Sequence, residues 1–117
     1  NGISAQGRMV FVAGQIGWNS ECVFETDLFW KQTRKAFSNT VEVLSAAAAK
    51  PEHIVRMTWF ITSRKEYLEQ QKEIGKAYRE IIGKHYPAMS VLVVSELIEE
   101  AAKVEIETTA VIPEVSR

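Results

Sequence analysis

The chain has 117 residues, of which 46% are apolar and 25% charged, and its formal net charge at pH 7 is −1. This size and balance predict one globular domain over residues 1–117. The near-neutral charge argues against nucleic acid as a partner, because binding to phosphate backbones calls for an excess of lysine and arginine. No apolar run approaches the roughly 20 residues that a membrane span needs, so we expect no membrane association. Cys22 is the only cysteine, and we therefore expect a reducing, cytoplasmic compartment.

The first half of the chain predicts a strand followed by a long helix. Residues 9–16 alternate and are rich in valine and phenylalanine, which is typical of a strand, and glycines follow. Residues 27–50 carry apolar side chains at three- and four-residue spacings, which predicts an amphipathic helix of about six turns. Thr26 is the expected N-cap of this helix, and Pro51 is expected to end it.

The second half predicts one helix among three strands. Ser63 and Glu66 form a capping-box pattern that begins the helix, and Gly83 has the position of its C′ residue. The strands are predicted at residues 54–62, 90–95 and 103–112. The order β–α–β–α–β–β therefore predicts an α+β fold with a single sheet.

Two helices can cover only one face of a small sheet, so the other face must be polar or covered by a partner. Large apolar residues occupy strand positions that we expect on both faces: Val12, Val55, Met57, Trp59, Val91 and Val93. A solvated sheet face rarely carries so many. The pattern therefore predicts a homo-oligomer in which sheets pack against one another.

Five segments, in one order along nearly the whole chain, carry a family resemblance: Val12-Ala13-Gly14-Gln15-Ile16, Gln32-Thr33 with Asn39, Ile54-Val55-Arg56-Met57-Thr58, Tyr86-Pro87-Ala88-Met89-Ser90 and Val104-Glu105-Ile106-Glu107. Together they resemble the RidA/YjgF (reactive intermediate deaminase) family, also labelled endoribonuclease L-PSP. The resemblance implies a chorismate-mutase-like fold with two helices on one face of a mixed sheet. It also implies a homotrimer whose sheets form a central barrel, with small-molecule clefts at the subunit interfaces.

Deaminases of this family hydrolyse reactive enamines and imines to a keto compound and ammonia, without a metal or an organic cofactor. The resemblance assigns to Glu105 the catalytic role of orienting a water molecule. It places six residues in the ligand cleft: Ala13, Gly14, Gln15, Met89, Ser90 and Val91.

Three positions depart from the family pattern. Met89 stands where the deaminases have the arginine that binds the substrate carboxylate, and a thioether has no charge to offer there. Ala13 replaces a serine and Gly75 an asparagine. The sequence therefore predicts an enamine or imine deaminase with altered substrate specificity.

Two alternatives stay open. The loss of three polar positions also fits a non-catalytic trimer that binds a small metabolite. An endoribonuclease or translation inhibitor would need a basic surface and a general acid–base pair, which the sequence does not display. Individual residues have structural interpretations as well: Glu105 and Glu107 could form a solvated face, Met89 and Trp59 could serve packing, and His53 and His85 could cap or fix loops.

Overall fold

The computed structural model of the chain describes residues 1–114, so the last three residues of the predicted domain lie outside the described part. Its elements in chain order are β1 (Arg8–Ile16), α1 (Phe29–Ala46), a 3₁₀ turn (Pro51–His53), β2 (Ile54–Ile61), α2 (Arg64–Glu69), α3 (Gln71–Ile81), β3 (Ala88–Val93) and β4 (Val104–Ile112). The predicted α+β order is confirmed, except that the second predicted helix consists of two.

The four strands form one mixed sheet in the order β1-β4-β2-β3. β4 pairs antiparallel with both β1 and β2, whereas β3 pairs parallel with β2. A parallel pair requires a crossover connection, and α2 and α3 supply it. β1 and β3 are therefore the two edges of the sheet within one chain.

The first helix is shorter than predicted at both ends. It begins at Phe29, and Thr26 accepts a hydrogen bond from the Leu28 amide instead of capping the helix. It ends at Ala46 because Ala48 adopts a left-handed conformation, with φ of 65°, and the Ala49 amide then bonds back to the Leu44 carbonyl. The alanine-rich run favours helix by propensity, but the burial of Ala49 turns the chain before Pro51.

The second predicted helix is divided at Gln70. Ser63 accepts a hydrogen bond from the Glu66 amide at 3.1 Å, which confirms the predicted N-cap. Gln70 leaves the helical conformation, and its side-chain oxygen accepts a hydrogen bond from the Trp30 amide in the first turn of α1. The division joins the starts of two helices, which periodicity alone does not predict.

The hydrophobic core lies between the helices and one face of the sheet, as predicted. Its fully buried members include Phe29, Phe37, Leu44, Ile54, Met57, Ile61, Val104 and Ile106. Phe37 packs edge-on against both Trp59 and Tyr78, with ring centroids about 5.5 Å apart. Such contacts stabilise beyond the buried area alone.

The other face of the sheet has no covering element in the described chain and is partly apolar. Phe11 is 71% exposed, Met9 55% and Leu92 46%. The three exposed residues differ from those named from the sequence. Met57, Trp59 and Val12 face the helices. Val91 and Val93 lie on that same side, at the edge strand β3. The prediction of an uncovered apolar face holds, with different members.

Two side-chain amides of α1, buried Gln32 and half-buried Asn39, fix the segments after β1 and before β4. Asn39 donates hydrogen bonds to the carbonyls of Ile16 and Trp18, each at 2.9 Å. Gln32 donates to the carbonyls of Thr26 and Ala101 and accepts from the Lys103 amide. No helix within residues 1–114 is long and apolar enough to cross a membrane.

Candidate functional site

A β-bulge near the end of β1 places the first group of predicted site residues. Val12 pairs with Thr108 and Gln15 with Ile106, so Ala13 and Gly14 together oppose the single residue Glu107. The Gln15 side chain donates a hydrogen bond to the Ala13 carbonyl at 3.0 Å and fixes the bulge. Bulges of this kind re-aim side chains at the rims of sheets.

The Glu105 carboxylate lies directly over Gly14. A Cβ atom at residue 14 would stand 2.3 Å from Glu105 Oε2 and 2.7 Å from its Cδ, so only glycine leaves room for the carboxylate in this position. Glu105 is half-buried and pairs with Phe60, which places it on the uncovered face of the sheet. We call Ala13, Gly14, Gln15 and Glu105 the β1 half-site.

The second group of predicted residues lies on β3. Met89 pairs with Met57 and Val91 with Trp59, so both side chains point to the helix face. Ser90 pairs with Thr58 and therefore points to the uncovered face. We call Met89 and Val91, with the cavity that they line, the β3 half-site.

One chain does not bring the two half-sites together. They lie at opposite edges of the sheet, which three strand spacings separate by roughly 14 Å. They also face opposite sides, because Glu105 alternates with the residues that contact the helices. The resemblance names these residues as one cleft, whereas in a single copy the two groups lie apart.

The β3 half-site opens on a cavity of about 360 Å³ between α3 and β3. Its walls are mainly aromatic and apolar, and one cation, Arg79, stands at its rim: Trp59, Tyr67, Ile74, Gly75, Tyr78, Arg79, Tyr86, Met89 and Val91, with Gln71. This volume suits a small organic molecule. Trp59 is thus both a core residue and a cavity wall, while Trp18 packs against Phe24 away from this cavity.

Tyr78 connects the cavity to the loop before β3. Its hydroxyl donates a hydrogen bond to the His85 carbonyl, and its ring stacks on Tyr86 with centroids 5.6 Å apart. Burial raises the pKa of Tyr78 to about 12, and the neighbouring Tyr86 phenol adds to the increase. The phenol therefore stays protonated, and remains a hydrogen-bond donor, at any physiological pH.

This raised pKa predicts a loss of stability in alkali. The unfolded chain releases the Tyr78 proton near pH 10, while the folded protein retains it up to about pH 12. The folded state then binds more protons, so the free energy of unfolding falls as pH rises through this window and is unaffected below it. Urea unfolding between pH 9 and pH 11 should show a steeper fall for the wild type than for Tyr78→Phe. Equal slopes for the two proteins would contradict the assignment.

Sequence reasoning missed Arg79 and the Tyr86 stack as parts of the site. Arg79 follows Gly75 by four residues on α3, and this spacing places both on one helix face. Both histidines have the structural roles that were considered for them: His53 Nδ1 accepts from the Lys50 amide, and His85 Nε2 lies 2.6 Å from the Ile54 carbonyl. Within residues 1–114, no cluster of three or more His, Cys, Asp and Glu side chains could hold a metal ion.

Known proteins share this architecture. A RutC family protein of Aquifex aeolicus is 34% identical over 102 residues, which span 87% of this chain and 79% of the relative. The E. coli protein TdcF, solved with bound serine, is 30% identical with a TM-score of 0.76, and the match covers 93% of this chain and 84% of TdcF. YyfB of Yersinia pestis, a conserved Rid family protein of unknown function, is 27% identical with a TM-score of 0.78, over 91% and 80% of the two chains.

The mixed sheet with helices on one face, together with two half-sites at its edges, defines a chorismate-mutase-like α+β protein of the YjgF type. Residues 2–112 match the family model described as endoribonuclease L-PSP. The chain belongs to this family, which is the RidA/YjgF family that the sequence motifs indicated.

Proposed function

We propose that the protein is an enamine or imine deaminase whose substrate specificity differs from that of relatives with an arginine at position 89. The observation that carries the proposal is the Glu105 carboxylate seated over Gly14 in the bulge of β1. A glycine and a bulge together leave room for one carboxylate at the sheet rim. A merely solvated glutamate requires neither.

The chemistry asks little of the protein. Water adds through oxygen to the electrophilic imine carbon, and Glu105 accepts a proton from the water while the nitrogen becomes protonated. The resulting carbinolamine then expels ammonia and leaves the carbonyl compound. An enamine enters the same route after protonation at carbon. Positioning the water and the substrate is the main contribution of the site.

A complete site requires a neighbouring copy, and we propose a homotrimer. The β1 edge of one copy meeting the β3 edge of the next would be a heterologous contact, and a rotation of about 120° between copies would close it into a ring of three. It would join a Glu105 half to a Met89 half, with a cleft at each of three interfaces. The exposed Met9, Phe11 and Leu92 on the uncovered faces would then become buried in the centre.

The test combines assembly with turnover. Light scattering should give about three times the 13.2 kDa mass of the chain. Imines generated in place from phenylalanine, leucine and methionine by an amino-acid oxidase should release ammonia faster with the protein than by spontaneous hydrolysis. A monomeric particle at micromolar concentration would contradict the shared site, and no acceleration with any imine would contradict the deaminase.

A non-catalytic metabolite-binding trimer is the second candidate, and a specific observation favours it. The three positions where family ligands meet polar side chains carry Ala13, Gly75 and Met89, while the cavity stays open. Such a protein would bind keto acids in equilibrium experiments and leave imine hydrolysis at the spontaneous rate.

We do not extend the endoribonuclease name of the family to this chain. RNA cleavage needs a general acid–base pair, most often with histidine. Both histidines here contact backbone groups instead: His53 the Lys50 amide and His85 the Ile54 carbonyl at the start of β2. The net charge of −1 also gives no excess of cations for RNA. For localisation we propose the cytoplasm, where the exposed lone thiol of Cys22 would remain reduced.

A further inference from the structure

Among residues 1–114, Arg79 is the one cation that lines the cavity between α3 and β3. Its side chain is exposed to solvent, while the walls beside it are formed by Trp59, Tyr67 and Tyr78. The cavity therefore has an aromatic interior and a positive rim.

Gly75 makes room for this arginine. A Cβ atom at residue 75 would lie 3.3 Å from Arg79 Nη1. Apart from its chain neighbours and the backbone of its own helix, no other atom would lie within 4 Å of it. Glycine within a helix is unfavourable relative to alanine. Helix packing does not require a glycine at this position. The missing side chain leaves open the space between the guanidinium and the cavity.

The guanidinium has no carboxylate partner in the described part of the chain. Within residues 1–114 the ion pair closer than 4.0 Å is Lys103 with Glu66, and it does not involve Arg79. An exposed guanidinium beside an aromatic cavity can therefore pair with the anionic group of a molecule that enters the cavity.

We propose that Arg79 binds the carboxylate of an aromatic 2-keto or 2-imino acid whose ring occupies this cavity. Arg79 would then supply the positive charge that Met89 lacks, from a helix instead of a strand. A planar guanidinium can bind a carboxylate through two hydrogen bonds. The identification of this ligand as the substrate rests on the proposed deaminase function, whereas the binding itself does not.

The size and walls of the cavity favour an aromatic body over a small one. A volume of about 360 Å³ would be left mostly empty by a three-carbon acid. Aromatic rings pack favourably against Trp59 and Tyr78, and Met89 contributes a polarizable contact. Arg79 would therefore determine the charge of the ligand, and the aromatic walls its size.

Calorimetry on the wild-type protein tests this with three probes: phenylpyruvate, pyruvate and the uncharged ketone 1-phenylpropan-2-one. Phenylpyruvate should bind at least about ten-fold more tightly than either of the others. Arg79→Gln should remove this advantage over the uncharged ketone. Lys76→Gln, which removes an exposed charge from the same helix outside the cavity, should bind phenylpyruvate like the wild type.

A second variant separates binding from folding. Gly75→Leu replaces a helix-disfavouring residue by a favourable one and fills the cavity, so it should unfold at the wild-type temperature or above and lose phenylpyruvate binding. Unchanged phenylpyruvate affinity in Arg79→Gln, or pyruvate binding as tight as phenylpyruvate, would overturn the inference. The three probes do not react, so their binding is measured independently of turnover. Binding of phenylpyruvate through Arg79 without ammonia release from imines would contradict only the proposed deaminase function.

Discussion

Glu105→Gln should abolish the acceleration of imine hydrolysis, with a loss of at least about a hundred-fold, because a positioned general base contributes a factor of this size or more. The amide is nearly the same size as the carboxylate that lies over Gly14, but it cannot accept the proton of the attacking water. Ammonia release from the imine of the best amino acid, corrected for spontaneous hydrolysis, measures the loss.

Glu107→Gln is the matched control for this variant. Glu107 lies two residues further along β4, on the same uncovered face, and pairs with Thr58. Glu107 lies opposite the bulge, but the carboxylate over Gly14 is that of Glu105. Glu107→Gln therefore makes the same change of charge without altering that carboxylate and should retain wild-type turnover. Light scattering and thermal unfolding should show both variants assembled as the wild type is. Equal activity of Glu105→Gln and wild type would remove Glu105 from the mechanism.

Mixing two inactive variants tests whether neighbouring copies share a site. Met89→Trp should block the β3 half-site with a bulky ring and leave Glu105 intact, whereas Glu105→Gln damages only the β1 half-site. After unfolding and refolding together in equal amounts, roughly a quarter of the interfaces in a ring would join two undamaged halves. Activity should then return to about that fraction of the wild type. No recovery would place both halves of the site in one chain.

Met89→Arg should tighten the binding of small 2-keto acids such as pyruvate by about ten-fold or more. Met89 is 38% exposed and points into the cavity beside Val91. A guanidinium at this position would meet the carboxylate of a small acid close to the strand, and charge-assisted hydrogen bonds of this kind contribute about 1.5–3 kcal/mol. Calorimetry with pyruvate measures the gain.

Leu92→Arg supplies the control for the added charge. Leu92 lies on the same strand and is similarly exposed, but it pairs with Phe60 on the uncovered face. It places three like charges near the proposed centre of the trimer, which should weaken assembly. Pyruvate affinity should be unchanged when it is measured at protein concentrations at which light scattering shows the variant assembled as the wild type is. Equal effects of the two substitutions on pyruvate binding would indicate a general charge effect and contradict the role of position 89.

Much of the fold could be predicted from local patterns. The strand of residues 54–61 and the Ser63 cap depend on nearest neighbours along the chain, and both are confirmed. The predicted helix boundaries were wrong where a contact with a distant segment overrides helix propensity. Gln70 interrupts a helical pattern because its side chain binds the Trp30 amide of α1, and Ala48 ends α1 because Ala49 becomes buried.

The candidate site could be predicted only as a set of residues. Motifs indicated Gly14, Glu105 and Met89, but not that Ala13 and Gly14 form a bulge, since a bulge depends on the register against β4. Arg79 was missed because its significance arises from a cavity whose other wall is formed by a strand ten residues further on.

The sequence by itself determined the class of fold, the family and the presence of an uncovered apolar face, because periodicity, capping residues and motifs are properties of neighbouring residues. Only the tertiary structure decided where the site residues lie. Strand order places β1 and β3 at opposite edges, and side-chain alternation turns Glu105 and Met89 to opposite faces. Order and alternation follow from the pairing of distant segments. They keep Glu105 and Met89 apart within one chain, and the shared site of the proposed trimer rests on this separation.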